Sequence, residues 1–202
     1  MSEQDYSIIE KQLAYDGYFK ILRYRVRYRC FAGDWHDNVV REVFERGHAV
    51  AVLPYDPQTD QVILIEQFRI APAAVNEYPW LMEIVAGIIE TGEKIESVAY
   101  REMQEEIGCE TLELIPMYQA FVSPGGTTET VALFCGRIQA NCFSPLHGKA
   151  EEQEDIRAHL ISRTTALSWL AEGKIRSLSA ITALQWLALH YAQVQEQWGD
   201  GK

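Results

Sequence analysis

Three glutamates, Glu102, Glu105 and Glu106, stand at i, i+3 and i+4 of a stretch with helical periodicity. Successive helical residues advance by about 100°, so the three carboxylates share one face. Ile95 and Val98 lie on the same strip, one and two turns earlier. The carboxylates therefore continue an apolar stripe where an amphipathic helix would place another aliphatic residue. Like charges at this spacing repel by about 0.2–0.5 kcal/mol per exposed pair, and by more where water is scarce. Arg101 reaches only the edge of the cluster, chiefly Glu105. A bound divalent cation would remove the conflict, and oxygen-only donors on one rigid face suit Mg²⁺ or Mn²⁺ rather than zinc. A solvated Glu-rich surface helix would carry the same triplet, so the triplet alone leaves the two readings even. The flanking glycines tip the balance. Gly108 follows the helix where a left-handed cap is expected, and Gly87 sits at a strand exit where the backbone can approach a ligand.

Such a helix needs a strand before it and a sheet to lie on. The run LMEIVAG, residues 81–87, predicts that strand, and the helix then covers residues 95–107. HAVAVLPY, the Pro/Asp turn DPQTD and QVILIEQFR predict a hairpin over residues 48–69. APAAVNEYP reads as a loop, and LELIPMYQAF and TVALFCGRI predict two strands flanking SPGGTTE. The acidic stretch HGKAEEQED reads as a loop before the strand RAHLIS and the helix TTALSWLAEG. Residues 179–198 carry apolar side chains at helical spacing, with Trp186 and Trp198 as core or interface anchors. Nearer the start, Leu22, Tyr24, Val26, Tyr28 and Cys30 alternate with four arginines, the period of a half-buried strand. Its arginine stripe reads as the wet face of a sheet opposed by acidic neighbours, in preference to a nucleic-acid surface. Strands first, then strands mixed with helices, predict an α/β (α+β) fold with a mixed sheet.

The bulk properties narrow the class. The chain has 202 residues, 48% hydrophobic and 23% charged, the profile of an ordinary globular protein with one sizeable core. No apolar run is long enough for a membrane span, and the opening residues lack the pattern of a secretory signal. Cys30, Cys109, Cys135 and Cys142 are scattered without a CxxC pair, which predicts reduced structural thiols and a cytoplasmic protein. A net charge of −11 argues against nucleic-acid and anionic-membrane partners. It also argues mildly against an anionic substrate, so such a substrate would need local positive charge.

Taken together, Gly87, five residues, Glu93, seven residues and then Arg101-Glu102-Met103-Gln104-Glu105-Glu106-Ile107-Gly108-Cys109 resembles the Nudix box at every fixed position. Cys109 stands where an aliphatic residue is usual and acts there as a small hydrophobe. The similarity extends to the ADP-ribose pyrophosphatase branch through three further features. Pro124 lies fifteen residues beyond the box, inside SPGGTTE. REVFERGHAV and IEQFR resemble the branch's substrate-binding segments, and AEEQEDIR resembles its mobile acidic loop.

The resemblance implies a Nudix-type α/β/α sandwich over residues 48–202, preceded by a small antiparallel β region over residues 1–47 that serves dimerisation and substrate contacts. It implies Mg²⁺ or Mn²⁺, two or more ions per site, held by Glu102, Glu105, Glu106, Glu154 and the Ala86 carbonyl. Glu93 and Arg101 would orient those carboxylates. Glu152 is the implied general base, with the adjacent Glu151 as the alternative. Arg41, Arg46 and Arg69 would grip phosphate or ribose oxygens, with Glu42 and Glu129 on adenine or ribose groups. Ser123, Pro124 and Gly125 would line the terminal-ribose side, with Ile88 offering its backbone. Tyr18 and Phe19 suit either adenine stacking or a dimer core, and the branch's pairing of N-terminal strands implies a homodimer. The implied reaction is Mg²⁺-dependent hydrolysis of ADP-ribose to AMP and ribose 5-phosphate. Alternatives are another nucleotide sugar such as GDP-mannose, an ADP-ribose sensor without turnover, and an RNA-directed enzyme. The sensor is disfavoured by the intact box carboxylates, and the RNA enzyme by the acidic chain.

Overall fold

The computed structural model describes residues 5–148 and 153–199. They fall into two compact units, one of the chain up to His48 with Ala120–Thr130, the other of Ala49–Gln119 with the chain from Val131 onward.

The first unit is built on an antiparallel meander of β1 (Tyr6–Asp16), β2 (Lys20–Arg29) and β3 (Trp35–Glu45). β2 is the alternating arginine strand, and its charges are opposed as expected. Arg25 pairs with Glu10 at 2.8 Å and Arg27 with Asp37 at 2.6 Å, and the Arg27 guanidinium lies 4.1 Å from the Trp35 ring centre. β1 was not legible in the sequence. Its register shifts between Ile8 and Glu10 and again between Leu13 and Tyr15, and each such irregularity breaks the alternation that marks a strand. The strand is solvent-exposed along its length, Tyr6, Ile8, Leu13 and Tyr15 included. At the end of β3, Phe44 donates its amide to Gly126 O (2.8 Å) and accepts from the Thr128 amide (3.3 Å). That ties down the SPGGTTE loop, where Gly126 and Thr127 both donate to Ser123 O at 3.0 Å and Pro124 fills the turn position its fixed φ favours.

In the second unit β4 (His48–Asp56) and β5 (Gln61–Phe68) form the expected hairpin. They belong to a sheet ordered β10 (Leu146–His147), β11 (Ile156–Ser162), β5, β4, β9 (Thr130–Arg137), β8 (Glu113–Phe121). β4 and β9 run parallel while β5 is antiparallel to both β4 and β11, so the sheet is mixed. Period-2 alternation sends side chains to two cores. Ala51, Leu53, Tyr55 and Leu64 pack with Leu184, Leu187 and Trp198 of α4 (Leu178–Trp198). Val50, Val52, Ile63 and Ile65 pack on the other face with Val98, Met103 and Ile107 of α2 (Ile95–Ile107). Helices on both faces make this an α/β/α sandwich, with α3 (Arg163–Ala171) on the α4 side. Trp186 and Trp198 are buried, as anchors of the core.

Three local readings differ from expectation. The single strand read at LMEIVAG is two, β6 (Trp80–Glu83) on β5 and β7 (Val85–Ile89) on β4, divided at buried Ile84. The proline-rich loop holds a short helix, α1 (Ile70–Ala74), whose Pro72 falls in the first turn, where a missing N–H costs nothing. Cys109 is fully buried and disulfide-bonded, not a free thiol, whereas Cys30 and Cys135 are free. Separation along the chain does not reveal which sulfurs the fold brings together. Among the described residues no helix is long and apolar enough to cross a membrane.

Candidate active site

The box begins where β7 leaves the sheet. Between β7 and α2 the Glu93 carboxylate accepts from the Glu90 amide at 2.9 Å, closing the turn, and lies 3.6 Å from Arg101. Helix α2 then runs to Gly108, whose φ of 66° is the left-handed cap the sequence predicts.

The carboxylate face of α2 turns inward. Glu102 is 9% exposed and Glu106 3%, alongside Val98, Met103 and Ile107, while Glu105 is half-buried. Arg101 Nη1 donates to Glu102 at 2.6 Å and to Glu105 at 3.3 Å. Burial alone would lower the Arg101 pKa, but Glu102, Glu93 and Glu105 outweigh it and raise it further. Glu106 turns the other way and accepts from the Ala86 amide at 3.0 Å. Gly87 is the close-approach glycine: a methyl there would coincide with the Glu102 carboxylate. β7 and α2 thus meet at a point where no other residue type leaves room for the acid.

Glu106 is the electrostatic outlier. Burial pushes its carboxyl well above the ordinary range, the Ala86 N–H opposes this, and the charges of Glu154 and Glu102 push it up again, with Arg69 acting against them. Glu154, which precedes β11, is therefore close enough for its charge to bear on Glu106. Arg69 is held from Nε and Nη2 by Glu83 Oε2 at 3.0 and 2.8 Å, and Gln67 donates to the same oxygen at 3.3 Å. Glu83 was missed in the sequence. Its signal was one acid inside an otherwise apolar strand.

These donors fit a hard divalent ion. A buried acid whose pKa is raised by neighbouring acids gains from a cation between them, and Gly87 leaves space for Glu102 at that point. The arrangement is not a finished cage: among the described residues no three Asp, Glu, His or Cys side chains are spaced to hold one ion. A cation would compete with Arg101 for Glu102 and Glu105. Glu151 and Glu152 lie outside the described residues.

The first unit assembles a second set of the expected residues. Phe19 meets Phe44 edge-on at 5.0 Å between ring centres, and the Arg46 guanidinium lies 5.5 Å from the Phe19 ring. Arg46 Nε is 3.5 Å from Glu129 Oε1, yet among the described residues that buried nitrogen finds no hydrogen-bond partner. The pair is an ion pair too long and too poorly aligned to satisfy the donor. Glu129 is itself buried, and its amide donates to Thr127 Oγ1 at 3.1 Å. Tyr18 packs edge-on against Phe19 at 4.7 Å but is otherwise 89% exposed. Arg41 and Glu42 are exposed on β3, Arg41 donating to the Val40 carbonyl of its own strand. Ser123, Pro124 and Gly125 form the turn described above, and Ile88 is partly exposed on β7.

The model of the NUDIX domain family matches residues 45–176. The chain is 45% identical over 196 residues to the ADP-ribose pyrophosphatase of Escherichia coli (strain K12), covering 97% of this chain and 94% of that protein. It is 31% identical over 153 residues to a GDP-mannose pyrophosphatase of Yersinia enterocolitica, covering 75% and 78%. A crystal structure of an ADP compounds hydrolase superposes with a TM-score of 0.72 over 99% of this chain and 100% of that one, at 18% identity, and shows a shared fold.

Proposed function

Since this chain belongs to the NUDIX family, we propose that it hydrolyses the pyrophosphate of ADP-ribose to AMP and ribose 5-phosphate with Mg²⁺ or Mn²⁺. The buried pair of Glu102 and Glu106, packed against the Ala86–Gly87 backbone, carries the reading. Near-full-length similarity to an ADP-ribose pyrophosphatase supports the substrate.

Two or more divalent ions, when bound, neutralise the diphosphate oxygens and lower the pKa of a coordinated water. Glu102, Glu105, Glu106, Glu154 and the Ala86 carbonyl would hold them. Arg101 and Glu93 keep those acids oriented. Glu152, or Glu151 beside it, takes the proton from the attacking water. Arg69, steadied by Glu83 through two of its nitrogens, grips the diphosphate with its remaining edge. Phe19 stacks on adenine, and Arg46 and Glu129 recognise polar groups of the nucleoside. Arg41, Glu42, Tyr18, Ile88, Ser123, Pro124 and Gly125 complete the substrate contacts. The β region of residues 1–47 pairs with a second copy of the chain, a reading supported by the exposed apolar residues of β1. We read the protein as cytoplasmic, a compartment that would keep the free Cys30 and Cys135 reduced.

A panel of ADP-ribose, GDP-mannose and other nucleotide sugars, assayed for AMP or GMP release with Mg²⁺ and with EDTA, tests the substrate. Preference for ADP-ribose that vanishes with EDTA is expected. Faster GMP release would select the second reading, which similarity to a GDP-mannose pyrophosphatase favours.

A further inference from the structure

We propose that His147 and Gly148 are positioning residues for Glu154, clamping the chain that carries it against the C-terminal end of the box helix. The inference rests on the reading of Glu102, Glu106 and Glu154 as metal ligands.

Gly108 ends α2 in the left-handed region, which by itself favours glycine. The fold adds a second reason. The His147 ring lies directly over it, so that a methyl at Gly108 would stand 2.9 Å from His147 Cε1. The ring is fixed from its far side, where Nε2 lies 2.9 Å from Ser144 O and donates to it in the tautomer that bears the proton there. The strand beneath is equally constrained. His147 pairs with Ile156 and Leu146 with Arg157, and the Ala158 amide donates to Pro145 O at 3.0 Å. Ile156 is fully buried and registers with Gln67 on β5, whose side chain shares Glu83 with Arg69. β10 is thus held by the sheet on one side and by the end of α2 on the other.

Gly148 supplies the next link. Its φ is +111°, strained for any residue with a side chain, and a methyl there would coincide with the Glu154 carbonyl. The backbone at Gly148 and at Glu154 is therefore in direct apposition. From Gly108 to Glu154 the path consists of two close contacts, each requiring a glycine, with the His147 ring between them. A hairpin serving only to close the sheet would need the strand pairing but neither glycine contact.

The test uses the full chain with His147→Ala, His147→Phe and Gly148→Ala, and Glu106→Gln as reference. Mn²⁺ binding is titrated without substrate by the electron paramagnetic resonance of the free ion, with Tm measured alongside. Both alanine variants should weaken Mn²⁺ binding about tenfold or more, as loss of support for a metal ligand does. His147→Phe, which keeps a ring over Gly108, should recover most of the affinity. The Mg²⁺ concentration for half-maximal hydrolysis should rise in step while KM for the nucleotide sugar holds. If Gly148→Ala fails to fold, the two His147 variants decide. Unchanged Mn²⁺ affinity in His147→Ala, or a loss that His147→Phe does not restore, overturns the clamp. Failure of Glu106→Gln to weaken Mn²⁺ binding would instead overturn the metal reading beneath it.

Discussion

Replacing Gly87 by alanine introduces a methyl carbon into space that the Glu102 carboxylate already fills. The backbone cannot yield easily, because β7 is paired to β4 and the next residue back, Ala86, donates to Glu106. Glu102 must swing instead. It is held by Arg101 at 2.6 Å and is 9% exposed, so the swing breaks a charge-assisted hydrogen bond, about 1.5–3 kcal/mol, and forces an off-rotamer side chain, about 0.5–1.5 kcal/mol. The two together make about 2–4.5 kcal/mol. If the displaced carboxylate is needed in the transition state, turnover falls by about 30- to 2,000-fold. Steady-state kinetics over a Mg²⁺ series, with Tm from calorimetry, would read this out. The expected pattern is a reduced kcat, a raised half-saturating Mg²⁺ concentration and a folded protein. Gly87→Ala combined with Glu102→Asp shortens the acid by one methylene and should restore part of the loss. Normal kinetics in the single variant would refute the reasoning, as would a double variant worse than the product of its parts.

Glu106→Gln should abolish most turnover and remove the Mg²⁺-dependent rise in Tm, yet leave Tm in EDTA unchanged or higher, because a buried acid has become a neutral isostere. A large fall in Tm in EDTA would mean that Glu106 is a structural contact first. Tyr55 gives a pH signature: burial first, then its hydrogen bond to Asp60, raise its pKa above the ordinary value. The folded pKa exceeds the unfolded one, so its contribution is complete below about pH 10 and is lost as pH climbs toward the folded value. Tyr55→Phe should cost about 1 kcal/mol at neutral pH and flatten the fall in denaturant midpoint above pH 10; an unchanged alkaline slope would refute the assignment.

The box was legible because helical geometry is local. The i, i+3, i+4 spacing of Glu102, Glu105 and Glu106 is enough to place them on one face, and the structure turns Glu102 and Glu106 inward. Gly87 and Gly108 were legible for related reasons, one as a close approach and one as a cap. What remained hidden depends on partners distant in the chain. β1 lost its alternation to irregularities imposed by pairing with β2. The second reason for Gly108 is a histidine that reaches it only after β10 has paired with β11. Glu83 read as one charge in an apolar run, because only the pairing of β6 with β5 brings it within reach of Gln67 and Arg69. Phe19, Arg46 and Glu129 could be named from resemblance, but their grouping depends on Phe44 fastening the SPGGTTE turn to the end of β3.

The parallel pairing of β4 with β9 has a consequence for how the molecule is made. Everything between those strands, the box included, lies inside one long loop that closes when Ala49 meets Val131. Pairings of such wide separation form slowly, since the entropy of closing the loop is lost before the contacts form. A nascent chain halted on the ribosome short of Val131 would already hold every box residue. It would still lack the central partner strand of the sheet on which α2 packs, and would expose Val50 and Val52 along an open strand edge, the surface a chaperone recognises.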